Sequence, residues 1–266
     1  MRKYHGTVIH RSLDSRGNIE VVDDGYTRSL HFGNAVRQSA TDLSRPEYLI
    51  LTYTRAMMGS LLFKPSPCKI LLIGLGGGSL AKFLLHHFPN CAIEAVEHRE
   101  LVVKVAHGYF LLPEDQRLSI HVEDGAVFAH HRAAVSSGCY DLILVDAYDS
   151  EGMDDNMSEQ QFLHDCHELL STDGLLAINL WGRDQPRYSR TRRTLQQCFG
   201  AKPLLLPAEG TTNVIAMALR RANHSSALKA AGARARILED QTGLELVRFS
   251  RTLCKQNGSL MKRIFS

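Results

Sequence analysis

No apolar run in this 266-residue chain approaches the roughly 18 residues a helix needs to cross a bilayer, so no spanning helix is expected. The opening Met1-Arg2-Lys3-Tyr4-His5-Gly6 is basic, but no apolar stretch follows it, so no secretion signal is expected and a cytoplasmic location is. Six cysteines stand singly at positions 68, 91, 139, 166, 198 and 254. Without a Cys-x-x-Cys pair or zinc-knuckle spacing, they read as reduced thiols packed as small hydrophobes. No internal repeat is present. Apolar residues at 44% and charged residues at 22% exclude a disordered or collagen-like chain and predict a globular one.

Metal ligation is not expected either. His86-His87 and His130-His131 are adjacent pairs that point to different helix faces. His164 and His167 have a spacing that can hold a metal, but their helix also offers Phe162, Leu163, Leu169 and Leu170 to a core, so they read as a solvated or capping pair. From Arg220 to Ser266 ten Lys/Arg face three Asp/Glu, while the rest of the chain is net acidic. The basic charges are spread along the segment with few aromatics among them, which fits a solvated helix face or a subunit contact better than a nucleic-acid or membrane surface.

Residues 5–33 alternate like a strand meander, with turns at Asp14–Asn18 and at Asp23-Asp24-Gly25. Leu49, Tyr53 and Met57 then recur every four residues and predict a helix over 46–62. After the breaker Lys64-Pro65-Ser66-Pro67, strand candidates Ile70–Gly74, Ala92–Glu97, Leu118–Val122, Asp141–Asp146 and Leu175–Trp181 alternate with helical stretches near 79–88, 99–107, 125–135 and 158–170. A helix near 189–199 precedes a closing pair of strands, Leu204–Leu206 and Val214–Leu219. The alternation predicts an α/β fold, a doubly wound, mostly parallel, Rossmann-like seven-stranded sheet with a small N-terminal β region. The expected organisation is 1–62 for that region and its helix, 63–222 for the nucleoside-binding domain and 223–266 for a basic helical extension.

The sharpest local signal is Ile70-Leu71-Leu72-Ile73-Gly74-Leu75-Gly76-Gly77-Gly78-Ser79, a buried strand running into a glycine turn and then a helix. Glycines admit positive φ and let a ligand approach without a Cβ in the way. Gly76, Gly78 and Ala81 also fit the dinucleotide fingerprint, so a nicotinamide cofactor stays open at this point. Glu97 ends the next strand, 21 residues after Gly76, where such folds place a carboxylate for ribose hydroxyls. Asp124, followed by Gly125, and Asp146 stand at two further strand ends. One rim thus collects a glycine turn, a Glu and two Asp. An adenosine ligand uses all four, whereas a nicotinamide enzyme explains only the first two.

This constellation resembles the spermidine synthase family of polyamine aminopropyltransferases, whose catalytic domain has the class I methyltransferase fold. The similarity covers roughly residues 20–182 well and extends weakly to about 220. Arg28-Ser29-Leu30 with Gln38-Ser39 resembles the family's substrate-side segment, and Tyr53 matches the Tyr of its Tyr-Gln pair. Gly74 to Gly78 matches its Gly-Gly-Gly-Asp-Gly loop, Glu97 its ribose carboxylate and Asp124 its adenine-side Asp. Asp146-Ala147-Tyr148-Asp149 resembles its Asp-x-x-Asp gate. The resemblance implies a sulfonium nucleoside donor held by Gln38, Gly74, Gly76, Gly77, Gly78, Glu97, Asp124 and Gly125. It implies Asp146 as catalytic base, and an amine acceptor held by Tyr53, Tyr148 and Asp149. It also implies a homodimer, no nucleic-acid or membrane partner, and no metal.

Four departures bear on the reaction. Gly77 stands where the loop carries Asp, Thr54 replaces the Gln after the Tyr, Ser150 replaces the Pro after the gate, and no tyrosine follows Tyr188. An Asp at 77 would attract the cationic arm of decarboxylated S-adenosylmethionine and repel a carboxylate. With Gly there, S-adenosylmethionine itself becomes an admissible donor, its carboxylate on backbone N–H groups. Methyl transfer is therefore the alternative to aminopropyl transfer, and a non-catalytic nucleoside-binding homologue is a further one. The stretch Gly152–Ser158 reads as a mobile lid or a plain surface connection.

Overall fold

A computed structural model describes residues 3–147, 155–221 and 223–257. Four antiparallel strands open the chain: β1 (Thr7–Asp14), β2 (Gly17–Asp23), β3 (Thr27–His31) and β4 (Ser39–Asp42). The first three match the expected meander. The fourth is only four residues, and its sequence, Ser-Ala-Thr-Asp, has no strand period to read. It exists because it pairs with β3, Leu30 opposite Ser39 through Thr27 opposite Asp42.

The helix expected over 46–62 is shorter. Only α1 (Thr52–Met57) is α-helical, and Met58–Leu62 tightens into a 3₁₀ turn. A Cβ on Gly59 would lie 2.7 Å from Leu206 Cδ2, so this segment presses its backbone onto the late strands. Leu49 and Met57 are buried as their spacing suggests, but Leu49 precedes the helix.

The main sheet has seven strands in the order β10-β11-β9-β8-β5-β6-β7. They are β5 (Lys69–Ile73), β6 (Ala92–Glu97), β7 (Leu118–Val122), β8 (Tyr140–Val145), β9 (Leu170–Trp181), β10 (Leu204–Pro207) and β11 (Asn213–Leu219). β5 to β9 run parallel, and β11 is antiparallel to both β9 and β10. Helices α2 (Ser79–His87), α3 (Glu100–Tyr109), α4 (Gly125–Val135) and α5 (Gln160–Leu169) are the crossovers. α6 (Gln185–Phe199) starts earlier than its apolar period suggests, because Asp184 caps it and Pro186 occupies its first turn. α7 (His224–Thr242) and α8 (Leu246–Asn257) pack together after the sheet.

Leu142 to Val145 in β8 are fully buried, covered on both faces. Burial of each such side chain stabilises the fold by roughly 1.5–3 kcal/mol. The N-terminal sheet is tied to the main one by specific contacts. Ile19, Val21 and Leu30 form a core with Val102, Val105 and Phe110 of the α3 region. Arg99 donates to both Asp14 carboxylate oxygens at 2.9 and 2.8 Å and to the Gly17 carbonyl at 2.8 Å. Buried Lys82 donates to Thr41 Oγ1 at 2.8 Å and to the Phe110 carbonyl, and burial depresses its pKa to about 7.

Candidate active site

Where β5 ends, its neighbours fix the chain at once. The Gly74 N–H donates to the Val96 carbonyl of β6, and the Asp146 N–H, just past β8, donates to the Ile73 carbonyl, both at 2.8 Å. Gly74 has φ of 91°, and a Cβ there would overlap the carbonyl oxygen of Asp146. Glycine is the residue that lets the loop leave the strand against the Asp146 backbone. The loop then closes with Gly78, at φ of 71°, as the residue before α2.

A cavity of about 770 Å³ lies outside these strand ends. Gln38, Tyr53, Gly74, Gly76, Glu97, Asp124, Gly125 and Asp146 all line it, so sites chosen from 38 to 146 in sequence share one space. Glu97 Oε2 accepts from the Leu75 and Gly76 N–H groups at 3.1 and 3.3 Å, and its Oε1 from Arg99 N–H at 3.0 Å. These bonds hold the carboxylate beside the loop, with lone pairs left over. Asp124 caps α4, its Oδ1 accepting from Ala126 and Val127 N–H at 2.8 and 3.1 Å. Its Oδ2 lies 3.7 Å from His98 Nδ1. The cap therefore occupies one oxygen of the carboxylate, and the other faces His98.

Asp146 is half-buried at the cavity wall, and desolvation pushes its carboxyl up to about 6 against the opposing hydrogen bonds from Asn179 and Tyr53. Asn179 Nδ2 donates to Asp146 Oδ1 at 2.9 Å, and Asn213 Nδ2 donates to Asn179 Oδ1 at 3.0 Å. The single Tyr53 hydroxyl proton is shared between Asp146 and the Gln38 carbonyl, 3.1 Å away, joining α1 to the N-terminal sheet at the cavity wall. The sequence reading missed Asn179 and Asn213. Asn179 carried a usable signal: it is the polar residue inside the apolar run Leu175–Leu180, and a buried amide needs partners.

Gly77 and Gly78 stand apart, since neither lines the cavity. A Cβ on Gly77 would meet Ser39 Oγ at 2.7 Å and Phe110 Cδ1 at 2.8 Å. Phe110 is fully buried and has no room to give way. A side chain at 77 thus points into the seam between the N-terminal sheet and α3. Gly77→Asp is expected to destabilise the protein by roughly 1–3 kcal/mol, with no gain in affinity for a cationic donor arm; a thermal melt and a donor titration check both. Tyr148 and Asp149, and Gly152–Asp154 of the lid reading, lie outside the described residues.

A glycine turn and carboxylates gathered at the carboxyl ends of parallel strands mark the ligand site of a doubly wound α/β fold. The spermine/spermidine synthase domain model matches residues 51–183. The polyamine aminopropyltransferase of Chromobacterium violaceum is 36% identical over 250 residues, 94% of each chain. The crystal structure of a spermidine synthase in complex with the transition-state analogue AdoDATO superposes with a TM-score of 0.74 over 94% of this chain and 88% of that one, at 16% identity. Human methyltransferase-like protein 13, solved in complex with SAH, superposes with a TM-score of 0.58 at 26% identity, over 71% of this chain and 89% of that one. The chain belongs to the spermine/spermidine synthase family and is a transferase of the aminopropyl-transferring kind.

Proposed function

We propose that this chain moves the aminopropyl group of decarboxylated S-adenosylmethionine to an amine acceptor, with Asp146 as the base. The observation that carries the reading is a half-buried carboxyl, raised by desolvation to about 6, in the same cavity as Glu97, Asp124 and the glycine turn. Glu97 accepts from the ribose hydroxyls, and the free oxygen of Asp124 accepts from the adenine amino group. Gln38, Gly74, Gly76 and Gly125 shape the nucleoside side. Gly77 and Gly78 serve by setting the loop's path. Tyr53 positions the acceptor beside Asp146, and Tyr148 and Asp149 are assigned to the same half on the strength of the gate motif alone. The family resemblance also brings a homodimer and a cytoplasmic location into the proposal.

An alkylamine has a reference pKa of about 10 and is a cation at neutral pH. It must lose a proton before its lone pair can attack. Asp146 takes that proton, in line with its near-neutral pKa. The amine nitrogen bonds to the methylene next to the sulfonium, the carbon–sulfur bond breaks, and its electrons stay on sulfur. Methylthioadenosine leaves as a neutral thioether. Alignment of the two reactants supplies much of the remaining acceleration.

Methyl transfer is the second reading, favoured by the likeness to a methyltransferase solved with SAH. Incubation with each donor and a panel of amines, followed by chromatography, separates the two. Methylthioadenosine is the expected product. S-adenosylhomocysteine in its place overturns aminopropyl transfer.

A further inference from the structure

Lys82 lies one turn into α2, its backbone N–H donating to the Gly78 carbonyl at 2.9 Å. It is 4% exposed and does not line the cavity. Its side chain donates to Thr41 Oγ1 of β4 at 2.8 Å and to the Phe110 carbonyl at the end of α3. Among the described residues no carboxylate bonds to it, and burial lowers its pKa to about 7 against the Glu47 charge. A neutral amine keeps two N–H groups, so both acceptors are served on either side of that value. A buried amine without a counter-ion costs stability that an apolar side chain of similar length would not. What this one supplies in return is the pair of bonds.

Both acceptors belong to segments that shape the nucleoside side of the cavity. β4 begins at Ser39, and Gln38 and Ser39 line the cavity. Ser79, the first residue of α2, is tied to the same strand: its Oγ donates to the Ala40 carbonyl at 3.1 Å and lies 3.1 Å from Ser39 Oγ. The Phe110–Leu112 turn presses on the glycine loop. A Cβ on Gly77 would lie 2.8 Å from Phe110 Cδ1, and one on Gly78 2.7 Å from Leu112 Cδ1. Between those two side chains Leu111 has φ of 57°, the only positive value on a non-glycine among the described residues. Leu111 is exposed, so burial does not offset the strain, and such a conformation persists only where its surroundings impose it. Three neighbours do so here. Lys82 donates to the Phe110 carbonyl, Arg28 donates to the Tyr109 carbonyl at 3.0 Å, and His107 Nδ1 lies 3.1 Å from the Leu112 carbonyl.

We infer that Lys82 is a positioning residue for the donor: by fastening β4 and the strained turn to α2, it holds the glycine loop and Gln38-Ser39 in place and sets nucleoside affinity without touching the nucleoside. The inference rests on the nucleoside-binding half of the proposed function and deepens it. It is independent of which group the donor gives up.

Methylthioadenosine, which shares its nucleoside with either donor, is titrated calorimetrically into the wild type, Lys82→Met, Leu111→Gly and the double variant. Thermal melts establish that each is folded at the titration temperature, so a change in Kd is not a loss of folded protein. Lys82→Met is expected to raise Kd about tenfold, the scale of one net hydrogen bond. Glycine adopts a φ of 57° without strain, so with Leu111→Gly the turn keeps its shape without the lysine. In that background the Lys82 substitution should therefore cost about threefold or less. In turnover assays donor KM should rise with Kd, while kcat at saturating donor stays within about twofold. An unchanged Kd in Lys82→Met overturns the inference. So does a tenfold loss that persists in the Leu111→Gly background, and so does a fall in kcat with Kd unchanged. If Lys82→Met does not fold, Thr41→Val, which deletes one of the two acceptors, decides the matter: binding weaker by about threefold supports the inference, and unchanged binding overturns it. A wild type that binds no methylthioadenosine overturns the nucleoside-binding reading itself, and the inference with it.

Discussion

Asp146→Asn is expected to lower kcat by about 10²–10⁴-fold, the range for loss of a general base, while making the protein more stable at neutral pH. Both effects come from one fact. Burial raises the Asp146 carboxyl to about 6 from an ordinary 3.8, so the fold favours its protonated form. Stability from that protonation is complete below the ordinary carboxylate range and is lost as pH rises through 6. Above pH 6 the wild type therefore keeps a half-buried charge, at a disadvantage of about 1–2 kcal/mol after solvent screening. Asparagine is never charged. Its stability advantage is expected near pH 7.5 and should vanish below pH 4, which paired thermal melts at the two pH values would reveal. Wild-type kcat/KM should rise with pH through an apparent pKa near 6. Asn179→Ala removes the donor that favours the charged form, so it should move that limb to higher pH. A variant with near wild-type turnover, or a limb that stays in place, would remove Asp146 from the role of base.

Gly74→Ala carries the largest expected loss of stability, about 3 kcal/mol or more, because two penalties coincide. The positive φ of 91° disfavours any Cβ, and here the Cβ also runs into the Asp146 carbonyl, a backbone atom with no freedom to swing away. Gly200→Ala is the control: its φ of 71° carries the first penalty, and nothing lies within 4 Å to impose the second. At roughly 2–4 °C per kcal/mol for a chain of this size, the Gly74 variant should melt about 6–12 °C lower. Equal melting of the two variants would sink the close-approach account. Any Gly74→Ala protein that folds should also turn over slowly, since the clash displaces the segment that carries the base.

Much of this architecture was legible before any coordinates. Near-continuous apolar strands such as Leu142–Val145, separated by helix-length amphipathic segments, leave a doubly wound sheet as the economical way to bury both faces. The carboxylates were legible for a related reason: each sits where an apolar run stops, so each had to fall on the same rim. The short strand β4 was not, because four polar-leaning residues have no period of their own and become a strand only against β3. The truncated α1 was not, because the tight 3₁₀ turn answers to Leu206, almost 150 residues away.

The sequence by itself determined which residues meet: the glycine turn with Glu97, Asp124 and Asp146, since strand ends converge wherever parallel strands pair. Tertiary structure alone decided what each of them does there. Asp146 becomes a near-neutral acid because desolvation outweighs the opposing hydrogen bond from Asn179, which Asn213 in turn orients. Gly77 turns from a missing carboxylate into a packing position against Ser39 and Phe110. Arg183 joins the same cavity wall from beyond β9. Local pattern encodes the path of the backbone, whereas dielectric, side-chain direction and charge balance arise from segments distant in the chain.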